Sequence, residues 1–120
     1  MSRRWEESVL QRAVMDMLRL AHRPGVIFFH TPNGGWRSPI EAARFQGFGV
    51  LPGVPDILLC LPPDGRMAGL ELKSRTGRLS AAQIAFGEAL RAAGGLWASA
   101  NSLDMAIEIL ILWDAIKVPS

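Results

Sequence analysis

Gly53-Val54-Pro55-Asp56-Ile57-Leu58-Leu59, followed after a short loop by Leu70-Glu71-Leu72-Lys73, decides how this chain folds. Both stretches are apolar runs suited to buried strands, and each is interrupted by charge. Charged side chains are almost never fully buried unless they are paired or bind metal, so two such interruptions in neighbouring strands need a reason. Between the runs, Pro62-Pro63-Asp64-Gly65 has proline at the second position and glycine at the fourth, which suits a type I turn. A turn centred between Pro63 and Asp64 sets Asp56 opposite Glu71, with both side chains on one face. Lys73 shares that face because strand side chains alternate. A slip of one residue would break up the group.

Two carboxylates and an ammonium at one end of a sheet suit a hard divalent cation such as Mg²⁺, which takes oxygen ligands and usually substrate phosphate as well. In this reading Asp56 and Glu71 hold the metal, and the Leu72 carbonyl adds a ligand between them. The metal polarises a phosphodiester and lowers the pKa of a water. Lys73 then orients or deprotonates that water, or steadies the charge on the phosphate. The plainer alternative is a cross-strand ion pair at a sheet end. For a bare D…ExK spacing that alternative wins, because three charged residues at loose spacing recur by chance.

Working outward, residues 5–22 read as a helix, with Leu10, Ala13, Val14, Met17, Leu18 and Ala21 on one side and Arg12, Asp16 and Arg19 on the other. Pro24-Gly25 stops it. Residues 26–30 form a short buried-type strand. Residues 31–54 are rich in glycine and proline, with a helical turn around 40–45, and a connection of that length in a compact domain is usually functional or partly disordered. Residues 56–61 and 67–73 are the hairpin strands. Ser80-Ala81-Ala82-Gln83 has the capping-box pattern and opens a helix to about residue 93, which Gly94-Gly95 ends. Residues 96–100 form a strand, and Ser102 caps a last helix over 102–115. The order α-β-β-β-α-β-α predicts an α/β fold with a central mixed sheet flanked by helices.

The chain of 120 residues is sized for one domain. Its longest apolar stretch, 107–113, is interrupted by Glu108 and is too short to span a membrane. Residues 1–7 carry charge without an apolar run, unlike a secretory signal. Cys60 is the only cysteine, so no intrachain disulfide or thiolate zinc site can form, and a reducing, cytoplasmic setting is expected. Cys60 itself reads as a small buried hydrophobe. Net charge is only +2, but all basic residues except Lys73 and Lys117 are arginine. Arginine forks suit phosphate, and arginine-rich codon usage explains the same bias. His22 and His30 lack partners at zinc spacing and read as structural. Gly47-Phe48-Gly49 is no dinucleotide fingerprint, since no strand precedes it and no helix follows.

Three blocks in order carry a family resemblance over nearly the whole chain. Gly53-Val54-Pro55-Asp56, Glu71-Leu72-Lys73-Ser74 and Leu79-Ser80-Ala81-Ala82-Gln83 resemble the VRR-NUC branch of the PD-(D/E)xK nucleases. Pro32-Asn33-Gly34-Gly35 with Arg37, and Leu90-Arg91-Ala92-Ala93-Gly94-Gly95, resemble flanking stretches of small phage and bacterial members. The resemblance implies a restriction-endonuclease-like core, with metal on Asp56 and Glu71 and Lys73 as a catalytic group. It also implies an acidic residue from the first helix. Glu7 matches that place best and Glu6 is the fallback, although glutamates at a helix start need no other reason than the macrodipole. Gln83 matches the family's helix glutamine beside the catalytic lysine, and a capping-box glutamine is the competing reading.

Arg75 and Arg78 follow Lys73 and suit phosphate contacts, or simply solvated loop charge. Asn33, Arg37 and Trp36 sit where they could touch DNA, with a core or interface role as the alternative for Trp36. The last helix is apolar almost all round, which predicts partial burial in a homodimer. The function expected from these residues is a Mg²⁺-dependent DNA endonuclease, with Mn²⁺ able to substitute. Resemblance to small dimeric members implies branched DNA, four-way junctions above all, and products with 5′-phosphate and 3′-hydroxyl ends. A restriction-like or repair nuclease is the alternative enzyme. A nucleic-acid-binding subunit that needs a partner for activity is the alternative class.

Overall fold

A computed structural model describes residues 2–32 and 38–118. Helix α1 (Arg3–Ala21) starts at Ser2, whose hydroxyl accepts from the Trp5 N–H at 3.1 Å, as N-cap serines do. Strand β1 (Ile27–His30) follows the Pro24-Gly25 stop. A second helix, α2 (Pro39–Gly47), then makes the observed order α-β-α-β-β-α-β-α, one helix more than the sequence predicts. The reason is physical. α2 buries none of its residues, with Ile40 and Phe45 both exposed, so no apolar stripe announces it. Its causes are local, namely proline in the first turn and a Ser38 hydroxyl accepting from the Glu41 N–H at 3.1 Å.

Strands β2 (Ile57–Leu61) and β3 (Arg66–Leu72) form the hairpin. The observed pairs Ile57↔Leu70 through Leu61↔Arg66 are the register that the turn position predicts. Continued by one residue, that register puts Asp56 across from Glu71. The turn is a four-residue loop in which the Gly65 N–H donates to the Leu61 carbonyl at 2.9 Å. Helix α3 (Ala81–Ala92) then carries the chain over the sheet to β4 (Leu96–Ala100), which lies parallel to β3. A parallel partner requires such a crossover. The sheet order is β1-β2-β3-β4, with antiparallel pairing up to β3.

Alternation divides the two faces. Ile57, Leu59, Ala68, Leu70 and Leu72 are buried with Val14 and Leu18 of α1 and with Ala106 and Leu110 of α4 (Leu103–Leu112). The other face of β3 carries Gly69 and Glu71 and meets α3, where Leu90 and Gln83 approach them. The last helix ends at Leu112, three residues before the predicted boundary. There Asp114 takes φ 60° and the Ala115 N–H donates to the Leu110 carbonyl at 2.9 Å, a Schellman closure in which aspartate holds the position that glycine usually takes. Ala115 and Ile116 then drop back into the core. Much of the apolar girth of α4 is therefore used within the chain, and Met105 and Leu112 are its large residues left exposed. Among the described residues no helix is long and apolar enough to cross a membrane.

Gly53 joins the entrance of β2 to the start of α3. It has φ +82°, and a Cβ there would lie 2.2 Å from the Ala82 carbonyl oxygen. Gly49 has a similar φ, +97°, with nothing within 4 Å of an added Cβ. An alanine at either position meets the left-handed penalty of about 1–2 kcal/mol. Gly53→Ala must in addition move helix backbone. Urea denaturation should show Gly49→Ala costing about 1–2 kcal/mol and Gly53→Ala at least ~3 kcal/mol, in the range of strained or overpacked sites. Equal losses would mean that the contact with α3 is not a constraint.

Candidate active site

Asp56 is held from three directions. Pro55, fully buried, lies against Gly69 so closely that a Cβ on Gly69 would be 2.7 Å from the proline Cγ. The end of β1 grips the backbone, with the Thr31 N–H and His30 Nδ1 meeting the Asp56 carbonyl at 2.9 and 2.8 Å. The Thr31 hydroxyl donates to the Pro55 carbonyl as well. A carbonyl only accepts, so His30 Nδ1 carries the proton in this contact. On the side-chain end, Asp56 Oδ2 accepts from the Leu72 N–H at 2.8 Å. Leu72 thus enters the site through its amide, next to the carbonyl that the sequence reading proposed as a ligand.

Glu71 is only 3% exposed, although it carries a carboxyl group. Burial is the first reason that its pKa is pushed up from 4.5 to about 9. The negative charge of Asp56 and a hydrogen bond between the two carboxyl groups raise it further, and Glu7 adds a smaller push. Lys73 pulls the other way. A buried carboxyl group in contact with a second one cannot ionise cheaply, so the pair retains a proton into the neutral range. The same influences place Asp56, Lys73 and Glu7 around Glu71.

Gln83 closes the capping box and also reaches Glu71. Its Oε1 accepts from the Ser80 N–H at 2.8 Å, and the Ser80 hydroxyl accepts from the Gln83 N–H at 3.1 Å, completing the capping box. Its Nε2 donates to Glu71 Oε1 at 3.0 Å. An amide has a donor end and an acceptor end, so the helix start and the buried carboxyl are tied by one side chain. Lys73 continues the β3 ladder by donating its N–H to the Ala100 carbonyl at 3.0 Å.

The two neighbouring glutamates part company in the structure. Glu7 lines a cavity of about 370 Å³ with Asp56, His30, Gln11, Ser8 and Arg4. Glu6 turns toward α4, lines a different hollow with Leu103, and accepts from the Arg75 N–H at 3.4 Å. Arg75 follows Glu6 away from the carboxyl pair, and Arg78 is exposed on the same connection. Asn33, Trp36 and Arg37 lie outside the described residues. His30 and Gln11 are site-lining residues that the sequence reading missed. The available signal was the polar series Arg4, Glu7, Ser8 and Gln11 at helical spacing, which runs on into Val14 and Leu18.

The oxygens of Asp56 and Glu71 are those a hard divalent cation uses, and a proton shared between two touching carboxyl groups marks a place where a cation would relieve repulsion. Among the described residues no group of three or more His, Cys, Asp or Glu side chains is arranged to hold a metal ion. Two carboxylates are nonetheless the usual protein share for Mg²⁺, with water and substrate phosphate completing the shell.

Because the folded chain keeps a proton on this pair that the unfolded chain loses near pH 4.5, stability conferred by the protonated pair is present at acid pH and declines as pH rises toward about 9. In chelator, the melting temperature of the wild type should fall between about pH 5 and pH 9. Glu71→Gln, which keeps the shape without the charge, should flatten that slope and melt higher at the alkaline end. A slope unchanged by Glu71→Gln would place the titration elsewhere.

No protein-family model matches the sequence, and no curated protein matches it. Solved structures do match. A structure described as a VRR_NUC domain protein superposes with a TM-score of 0.73 at 23% identity, covering 89% of this chain and 86% of that one. A second, described as a VRR_NUC domain, gives 0.58 at 19% identity over 89% of this chain and 95% of that one. The mixed four-stranded sheet flanked by helices is therefore the fold of VRR_NUC domain structures, in keeping with the restriction-endonuclease-like core implied by the sequence resemblance.

Proposed function

We propose that this protein is a metal-dependent nuclease that hydrolyses phosphodiester bonds in DNA. The observation that carries the proposal is the contact between Asp56 and Glu71 at the buried end of the sheet, with Lys73 beside them. A structural ion pair would set opposite charges together, whereas here like charges meet and raise a carboxyl pKa to about 9. Perturbation of this kind, in a cavity, is typical of functional sites. The fold shared with VRR_NUC domain structures supports the reading.

Asp56 and Glu71, with the Leu72 carbonyl, would hold Mg²⁺ or Mn²⁺, which would supply Lewis-acid polarisation of a phosphodiester and a nucleophile at neutral pH. The chain's own groups do the rest. The Leu72 N–H fixes one Asp56 oxygen and the Gln83 amide fixes one Glu71 oxygen, which orients both carboxyl groups. Lys73 Nζ would donate to the phosphate as negative charge builds, or align the attacking water. Glu7 would add a carboxylate from α1 at the mouth of the cavity. Of the possible substrates, branched DNA is our first choice, on the resemblance to small dimeric family members. A homodimer would cover the exposed Leu112 and Met105 of α4.

Purified protein incubated with labelled linear, flap, splayed and four-way DNA should cut in Mg²⁺ or Mn²⁺ and be silent in EDTA. Lys73→Ala should lower the rate at least ~10²-fold, the lower end for a positioned acid–base group, while DNA binding persists. Cleavage that survives in EDTA or in Asp56→Ala would overturn the metal mechanism. Binding without cleavage of any substrate would instead favour a subunit that acts with a partner. Sedimentation at micromolar concentration should show a dimer, and a clean monomer would remove the α4 interface.

A further inference from the structure

One stripe of α1 changes character halfway along the helix. Val14 and Leu18 are wholly buried against the sheet. The turns before them carry Gln11, Ser8, Glu7 and Arg4, which line the cavity that opens on Asp56. Ser8, Gln11 and His30 also line a second hollow of about 390 Å³, bounded further along by Arg12, Met15 and Arg19. Sharing three residues, the two hollows make one groove between α1 and the edge strand β1, and it starts at Asp56.

Gln11 sits at the join. Both its Oε1 and its Nε2 are withdrawn from solvent and neither has a hydrogen-bond partner. A leucine would fill such a place at lower cost if filling were all that was needed. The amide has donors on Nε2 and an acceptor on Oε1, and with the side chain turned into the adjoining hollow a nucleotide satisfies both ends, through its base edge or through sugar and phosphate oxygens. The charge around the groove fits as well. Arg4 and Arg12 are exposed along it, eight residues apart, or about 12 Å on a helix. Along the axis of a DNA duplex one strand carries a phosphate about every 3.4 Å, so this span covers about three to four phosphates. Of the acidic groups lining it, Glu7 lies at the carboxyl-pair end, and Asp16 is paired with Arg19 at 3.1 Å.

We propose that this groove is the track for one strand of the DNA substrate, with Gln11 holding the nucleotide next to the cleavage point and Arg4 and Arg12 contacting its phosphates. The identity of the polymer rests on the nuclease reading above, whereas the path of the strand is new. It runs along α1 and β1, on the side of Asp56 away from Arg75, which sits in a separate hollow facing α4.

The test uses the full chain carrying Lys73→Ala, which should bind without cutting. Affinity for a fluorescent single strand and for a four-way junction is followed across a salt series. Gln11→Leu should weaken binding about tenfold, or about 1.4 kcal/mol. Its melting temperature should stay level or rise, since two unpartnered polar groups are replaced by an apolar side chain of similar size. Arg4→Ala and Arg12→Ala should each reduce the salt slope by about 1, as expected for a lost phosphate contact. Arg12 is exposed, so its variant reports even if Gln11→Leu misfolds. Normal binding by Gln11→Leu and Arg12→Ala would overturn the track. A slope change confined to Arg75→Ala and Arg78→Ala would put the strand on the other side and leave the nuclease reading standing. A wild-type chain that binds neither DNA would overturn both.

Discussion

A buried glutamate set against a half-buried aspartate at one end of a sheet organises much of this molecule. The β2–β3 register brings Asp56 to Glu71, and on that face of the sheet Glu71 is closed off from water while Asp56 stays half-buried and lines the cavity. The neighbours are those such a pair requires. A backbone N–H from Leu72 meets Asp56, an amide from Gln83 meets Glu71, and Lys73 supplies the compensating positive field. Even so, the balance leaves Glu71 raised to about 9, because burial and its acidic neighbours outweigh one ammonium. The fold therefore keeps a proton on the pair into the neutral range.

The cost of that arrangement is spread through the backbone. Pro55 is wedged under Gly69 and Gly53 lies against the first turn of α3, so the segment that carries Asp56 has little room to move. α3 is in turn tied to Glu71 through Gln83 and to its own start through Ser80. His30 and Thr31 close the other side by holding the Asp56 carbonyl. Rigid support of this kind is what a functional constellation needs, since small displacements of a carboxylate weaken both metal binding and orientation. Helix α1 serves two purposes along one stripe, core at its C-terminal half and cavity wall at its N-terminal half.

Much of this was legible in the sequence. Alternation and a Pro-Gly turn specified the hairpin register, because a shift of one residue would have turned Leu70 outward and Glu71 into the core. Ser80 and Gln83 marked the start of α3 through local capping chemistry. α2 was not legible as a full helix, because its apolar residues are exposed and form no stripe. The end of α4 was misjudged because the chain reverses at an aspartate in the left-handed conformation, where a glycine would have announced the stop.

By itself, then, the sequence determined the strands, their register and the chemical identity of Asp56, Glu71 and Lys73, all of which follow from local periodicity and turn geometry. Only the tertiary structure decided what surrounds them. Glu6 and Glu7 are adjacent residues that point about 100° apart on a helix, so their fates depend on how α1 docks. The Glu7 that lines the cavity and the Glu6 that turns to Arg75 are separated by that docking alone. His30 finds a backbone carbonyl 26 residues away, and Gln11 meets the groove across from β1. Contacts of that range carry no sequence period, because they arise from the packing of whole elements.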